Sequence, residues 1–245
     1  MVDFVRAMLF PLKNGKKFLI GLLIAFLASR LISDKLIAGS STTLTAILAI
    51  VAIIFTFMLT GYHASCSNTA VNTKKKEMLL PSWKHPWKLF AKGFLTTIIL
   101  IVYSIPLVIL TIIFLGDIIT NLLVTQSAEQ LNQSLASFSP EATFIVFILL
   151  LTLYIIPFAV VKYSKTWKFS EAFQIGDIFR RTFKMRYFNT WVLTLIYSLI
   201  ITILINYIFV NLIPIIGSSV ANAIISYGLG VTVYTIFGEL YKSYK

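Results

Sequence analysis

The sequence predicts an all-α fold: a polytopic membrane bundle of six transmembrane helices with two interfacial amphipathic helices on one side, built as a single domain over residues 1–245. Three observations predict it. Hydrophobic residues fill 58% of the positions and charged ones only 12%, whereas soluble domains lie nearer half and a quarter. The apolar residues gather into six runs of about 20, enough for a helix to cross ~30 Å of hydrocarbon at ~1.5 Å per residue. The basic residues gather as well, between alternate runs. The short alternating segments of a β-barrel are absent from the sequence.

The first run, Phe18–Ile37, begins "FLIGLLIAFLAS" behind Lys16 and Lys17. This resembles the core of a signal peptide, but the segment is expected to be retained as a span. Arg30 and Asp34 interrupt it where they could snorkel to the far interface. The other runs are Thr43–Tyr62, Phe94–Leu115, Ala142–Val161, Trp191–Ile213 and Val220–Gly238. Pro106 and Pro157 fall inside the third and fourth, where a proline frees backbone carbonyls. Such breaks either shape packing or build a site.

The spans carry weakly polar stripes. In and before the fifth, Thr190, Thr194, Ser198, Thr202 and Asn206 recur every four residues; in the sixth, Asn222, Ser226 and Gly230 do the same. Thr97, Ser104 and Thr111 recur every seven in the third. Small and hydroxylated residues mark close helix contacts in membranes, so these stripes are expected to face the bundle interior; a polar translocation path is the alternative.

Charge sets the expected topology. The N-terminal segment has Arg6, Lys13, Lys16 and Lys17. Segment 63–93 has Lys74, Lys75, Lys76, Lys84, Lys88 and Lys92, and segment 162–190 has Lys162, Lys165, Lys168, Arg180, Arg181, Lys184 and Arg186. With Lys242 and Lys245, nineteen of the 21 basic residues lie on one side. The other side keeps Arg30 and Lys35, and its longest loop holds Asp117, Glu129 and Glu141 without a base. The positive-inside rule therefore predicts both termini in the cytoplasm. The net charge of +12 is a topology signal, and no nucleic-acid partner is expected.

Two basic segments are candidate surfaces for lipid or a partner protein. In "KKKEMLLPSWKHPWKLFAKG", Trp83, Trp87 and Phe90 fall at helical spacing, with Lys84, Lys88 and Lys92 beside them. This predicts an interfacial helix running into the third span, with Lys74, Lys75 and Lys76 over anionic headgroups. In "SEAFQIGDIFRRTFKMRYF", Ser170 is the expected N-cap. Glu171, Gln174, Asp177, Arg181 and Lys184 share one face of a helix, with Ala172, Ile175, Phe179 and Phe183 on the other. The apolar face should meet lipid or the bundle, with Arg180, Arg181, Lys184 and Arg186 near its C-terminal end. Simple anchoring is the plainest role; recognition of anionic lipid or docking of a cytoplasmic partner is the alternative.

Groups for chemistry are sparse. The last five spans hold no ionisable Asp, Glu, Lys, Arg or His before Glu239, which weighs against a proton- or sodium-coupled transporter. His63 and Cys66 form an H-x-x-C, with His85 the other histidine, a set too small for a zinc site. The single cysteine makes no internal disulfide. No nucleophile elbow, phosphate loop or dinucleotide fingerprint occurs. Neither cofactor nor metal is expected. Asn132-Gln-Ser134 is a glycosylation sequon on the outer loop.

Several blocks, in this order, carry a family resemblance: Gly61-Tyr62, "LLPSWKHPWKLFAKGF", "AVVKYSKTWKFSEAFQIGDIF" and "IPIIGSSVANAIISYGLGVTVYTIFGELYK". From about Gly61 to Tyr241 the chain resembles the prokaryotic membrane family known as domain of unknown function 4013. It departs where the family pattern carries acids around the two tryptophans, having Ser82, Lys84 and His85, and "HASCSN" replaces the basic residues usual after Gly-Tyr. The resemblance implies a multi-pass protein of the prokaryotic cytoplasmic membrane and no catalytic residue. The functional expectation is a non-catalytic accessory, scaffold or protective subunit whose basic helices engage anionic lipid or a partner. The alternative is a small permease or channel for lipids or neutral solutes, lined by Tyr103, Thr194, Ser198 and Thr202.

Overall fold

A computed structural model describes residues 3–30, 42–74, 78–125, 140–213 and 217–244, and among these residues every regular element is helical. In chain order they are α1 (Phe4–Leu9), a 3-10 turn (Phe10–Lys13), α2 (Gly15–Arg30), α3 (Thr42–Asn72), α4 (Pro86–Thr125) and α5 (Pro140–Thr166). A second 3-10 turn (Phe169–Phe173), α6 (Ile175–Thr182), α7 (Met185–Leu212) and α8 (Gly217–Lys242) follow.

Five of these helices, α3, α4, α5, α7 and α8, are long and apolar enough to cross a membrane. Six were expected. The helix that holds the described part of the first span, α2, has 16 residues, which cover only about 24 Å. The rest of that expected span, to Ile37, lies outside the described residues, as do Asp34, Lys35, the Asn132 sequon and Glu129. The helices overrun the apolar runs that located them. A helix once nucleated continues into polar residues at little cost, whereas hydropathy reports only the stretch suited to lipid. Helix continues through both Pro106 and Pro157.

Local chemistry sets the ends. The Asp3 carboxylate accepts the Arg6 N–H at 3.1 Å, capping α1, and the Asn14 side chain accepts the Lys17 N–H at 3.1 Å before α2. Pro86 occupies the first position of α4, where its missing N–H costs nothing. Past the end of α5, Trp167 adopts φ 59°, a left-handed conformation rare for so bulky a residue. Its N–H donates to the Tyr163 carbonyl at 2.7 Å, and its ring is held at 5.4 Å from Tyr163 and 3.6 Å beneath the Lys92 ammonium.

By packing, the chain separates into two units, Met1–Ile98 with Pro157–Lys245, and Ile99–Ile156. In the second, side chains such as Ile101, Ile105, Phe147 and Leu150 are exposed, as lipid-facing residues would be. The Ser104 and Thr111 hydroxyls there donate to carbonyls of their own helix at 2.9 and 2.8 Å.

The first unit is organised on α8, which packs against α1, α2, α3 and α7. Its core joins Phe10, Ile24, Leu59, Tyr62, Cys66, Leu89, Tyr227 and Val231. Glycines allow the helices to approach. A Cβ on Gly61 would strike the Leu89 carbonyl, and one on Gly93 the Phe57 carbonyl, so α3 and α4 cross with their backbones in contact. Phe57 flanks that crossing, edge-on to Phe90 and Phe94 at 5.5 and 5.6 Å. Gly230 of α8 leaves room for the buried His63 ring, which stacks on Tyr234 at 5.8 Å. A second aromatic group centres on Phe158, edge-on to Tyr187 at 4.5 Å and Tyr241 at 5.5 Å.

Candidate functional site

The candidate site is the end of the first unit where the basic residues collect. Many of those bases serve the fold. Lys13 Nζ donates to the Met78 carbonyl at 2.7 Å, Lys17 Nζ to that of Leu80, and Lys242 Nζ to that of Thr73 at 2.6 Å. These carbonyls lie in the connection between α3 and α4, so lysines just before α2, in its first turn and at the end of α8 satisfy backbone acceptors there. Asn68 Nδ2 donates to the Ser164 carbonyl at 2.6 Å, and Asn72 Nδ2 to that of Lys165 at 3.1 Å, closing the end of α5 on α3.

The tryptophans part company. The expected interfacial helix over Trp83 and Trp87 does not form as one piece, because helix starts only at Pro86 and the residue before a proline disfavours the α conformation. Trp83 instead lies flat on Tyr62, with centroids 3.9 Å apart and planes within 2°. Its Nε1–H donates to the Lys17 carbonyl at 3.2 Å. Trp87, on α4, is 75% exposed. Lys74, Lys84 and Lys88 are exposed too, while Lys75 and Lys76 lie outside the described residues.

The second basic segment folds as a 3-10 turn and the short α6, so Ser170 sits inside the turn and Lys168 takes the N-cap position. The polar line is the one that holds α6 in place. Lys162 of α5 has a side chain only 3% exposed, and it pairs with Asp177 at 2.8 Å and donates to Gln174 Oε1 at 2.7 Å. Asp177 also accepts from Arg180 at 2.9 Å and Arg181 at 3.1 Å. The Arg181 guanidinium lies 4.8 Å over the Tyr241 ring. Burial pushes the Asp177 pKa up, but the hydrogen bonds from Lys162, Arg181 and Arg180 outweigh it and hold the carboxyl well below the usual carboxylate range. Of the apolar line only Ala172 is buried, together with Ile178 from outside it, whereas Ile175, Phe179 and Phe183 are exposed with Met185 and Phe188. Lys184 and Arg186 are exposed beside them, as is Arg180, which keeps 75% of its side-chain surface.

In the stripe of α7, Thr190 and Thr194 are buried, and Ser198, Thr202 and Asn206 are half-buried. Thr194 donates to the Thr190 carbonyl at 2.7 Å and Asn206 to that of Thr202 at 2.9 Å, so these groups bond within their own helix. On α8, Gly230 meets His63, but Asn222 and Ser226 are exposed. Among the described residues, no group of three or more His, Cys, Asp or Glu could hold a metal ion.

Two features escaped the sequence reading. The sequence places Lys162 in a connecting segment, but α5 continues to Thr166 and carries it as a buried residue. The N-terminal segment is a docked element: the Glu239 carboxylate, 2% exposed, pairs with the Arg6 guanidinium and accepts the Asp3 N–H at 3.3 Å. Ala7 and Phe10 turn inward, while Val5, Leu9 and Leu12 are exposed. Their four- and three-residue steps were the available signal, in a stretch too short for a periodicity window.

Five helices long and apolar enough to cross a membrane point to a polytopic helical membrane protein. More specifically, the chain belongs to the family described as Protein of unknown function (DUF4013), whose pattern matches residues 44–210. The match runs from the start of α3 through nearly all of α7. It begins before Gly61 and stops short of the "IPIIGSSVAN" block, so α1, α2 and α8 lie outside it. No curated protein and no solved structure matches the chain.

Proposed function

We propose that this is a non-catalytic multi-pass protein of a prokaryotic cytoplasmic membrane, with both termini cytoplasmic. It acts as an accessory, scaffold or protective subunit whose basic face engages anionic lipid or a partner protein. The observation that carries this reading is the surface at α6 and the start of α7. There Phe179, Phe183, Met185 and Phe188 are exposed among Arg180, Lys184 and Arg186, on a helix clamped from behind by Lys162 and Asp177. Exposed aromatics among cations suit the headgroup layer, where each base contributes about 1 kcal/mol toward an anionic surface. The permease alternative draws less support. Its Thr194 and Asn206 bond within α7, and a cavity of about 200 Å³ beside that helix is lined by Tyr197, Ile201 and Ile205, not by the stripe.

The test is extraction in polymer-bounded native membrane discs, with lipids and proteins quantified by mass spectrometry. Substituting Lys74, Lys75, Lys76, Lys184 and Arg186 with glutamine should lower the co-purifying anionic lipid, or one stoichiometric protein partner, by about fivefold or more. An unchanged complement of both would overturn the reading.

A further inference from the structure

Two adjoining cavities open beside the docked N-terminal segment. One, of about 280 Å³, is lined by Arg6, Leu9, Leu12, Lys13 and Met78. The other, of about 230 Å³, is lined by Arg6, Met78, Glu239 and Lys242 among others. Arg6 and Met78 belong to both, so they are two lobes of one cleft. Together they reach the size range of small-ligand sites, roughly 300–1,000 Å³.

The cleft is amphiphilic. Among the described residues, three cations and one carboxylate line it, and the Arg6–Glu239 pair cancels within itself. That leaves the positive charges of Lys13 and Lys242. Each ammonium is fixed by one backbone carbonyl, Met78 at 2.7 Å and Thr73 at 2.6 Å. An ammonium carries three donors, so two remain on each lysine. The lining also has apolar side chains, among them Leu9 and Leu12, both of which are exposed. A free phosphate would meet the lysines but leave the leucines wet; a neutral amphiphile would cover the leucines and leave two fixed charges unanswered.

We propose that this cleft binds a single anionic phospholipid. Its phosphate lies between Lys13 and Lys242, and an acyl chain runs over Leu9 and Leu12. The bound lipid joins α1, the segment before α4 and the end of α8. The site shares no residue with the basic face of α6 and α7, and the inference does not rest on that face.

The test is native mass spectrometry of the full chain in an uncharged detergent, titrated with phosphatidylglycerol, with phosphatidylcholine, and with phosphatidylglycerol plus millimolar inorganic phosphate. One phosphatidylglycerol per chain should be retained, at least tenfold in preference to phosphatidylcholine, and phosphate should not displace it. Lys13→Gln/Lys242→Gln should reduce retention at least tenfold. Because those lysines also hold backbone, Leu12→Glu is the second variant: its side chain is 59% exposed, so the fold tolerates the change, and the new carboxylate should repel the phosphate to a similar extent. Glutamine at Lys184 and Arg186 should leave the single lipid in place. Equal binding of both lipids, absence of a stoichiometric lipid, or full retention in Leu12→Glu would overturn the proposal. Displacement by phosphate would overturn it in favour of a soluble anion.

Discussion

Replacing Asp177 with asparagine is expected to release α6 and to destabilise the protein by about 3–5 kcal/mol, the usual cost of removing one partner from a buried ion pair. The lower end applies, because Asp177 keeps 22% of its side-chain surface while Lys162 keeps 3%. Without the carboxylate, Lys162 retains the Gln174 side-chain oxygen at 2.7 Å, one neutral acceptor for a buried ammonium. Arg180 and Arg181 lose the same acceptor. Thermal unfolding in detergent should fall by on the order of 10 °C, and amide exchange over residues 174–184 should accelerate. Lys162→Met/Asp177→Asn should recover part of the loss, since no charge then stays buried. Unchanged exchange in the single variant would show that the network does not hold α6. The pH dependence has a definite sign. The folded pKa of Asp177 is depressed, so its contribution is complete above the unfolded value of about 3.9. It is lost as pH falls through the lower folded value. Docking of α6 should therefore be unchanged at pH 5 and weaken only in strong acid, and Asp177→Asn should abolish that acid sensitivity.

A comparable loss is expected at the crossing of α3 and α4. Added carbon at Gly93 meets the Phe57 carbonyl, and at Gly61 the Leu89 carbonyl. Both obstacles are backbone, so no rotamer change relieves them and the helices must separate. Gly93→Ala should cost about 3 kcal/mol, the upper part of the range for overpacking. Gly93→Leu should abolish the monodisperse peak in fluorescence-detected size exclusion. Gly228→Ala in α8 is the control. Nothing lies within 4 Å of its added carbon, so relief of the glycine penalty should leave the protein unharmed or stabilise it by up to about 1 kcal/mol. Similar behaviour of Gly93→Ala and Gly228→Ala would disprove the close crossing.

These two sites show what the sequence carries and what it omits. Long apolar runs located α3, α4, α5, α7 and α8 because desolvation in lipid dictates composition over about twenty consecutive positions. Side-chain spacing likewise showed that Gln174, Asp177 and Arg181 share a face. Spacing alone does not say which face turns inward. That was decided by Lys162, one helix away, whose buried ammonium needs a carboxylate. The lysines at 13, 17 and 242 read as solvated topology markers because their carbonyl partners lie far along the chain. Trp83 and Trp87 have helical spacing in the sequence, yet Pro86 between them starts a helix that includes only the second. The contact of Gly61 with Gly93 is illegible locally, since Gly61 is the lone glycine of its run and Gly93 falls just before the next.

The central place of α8 also bears on how the chain is made. Ribosomes deliver roughly 5–20 residues per second, and well over a hundred residues separate α2 and α3 from the helix that covers them. For roughly ten seconds or more, Gly21 has no Tyr227 ring, His63 has no Tyr234 and Arg6 has no Glu239. Those faces must wait uncovered until α8 emerges to close them. Assembly is thus gated by translation of the segment that lies beyond the family match, and a chain halted before Gly217 would expose to quality control the same surfaces that a finished molecule hides.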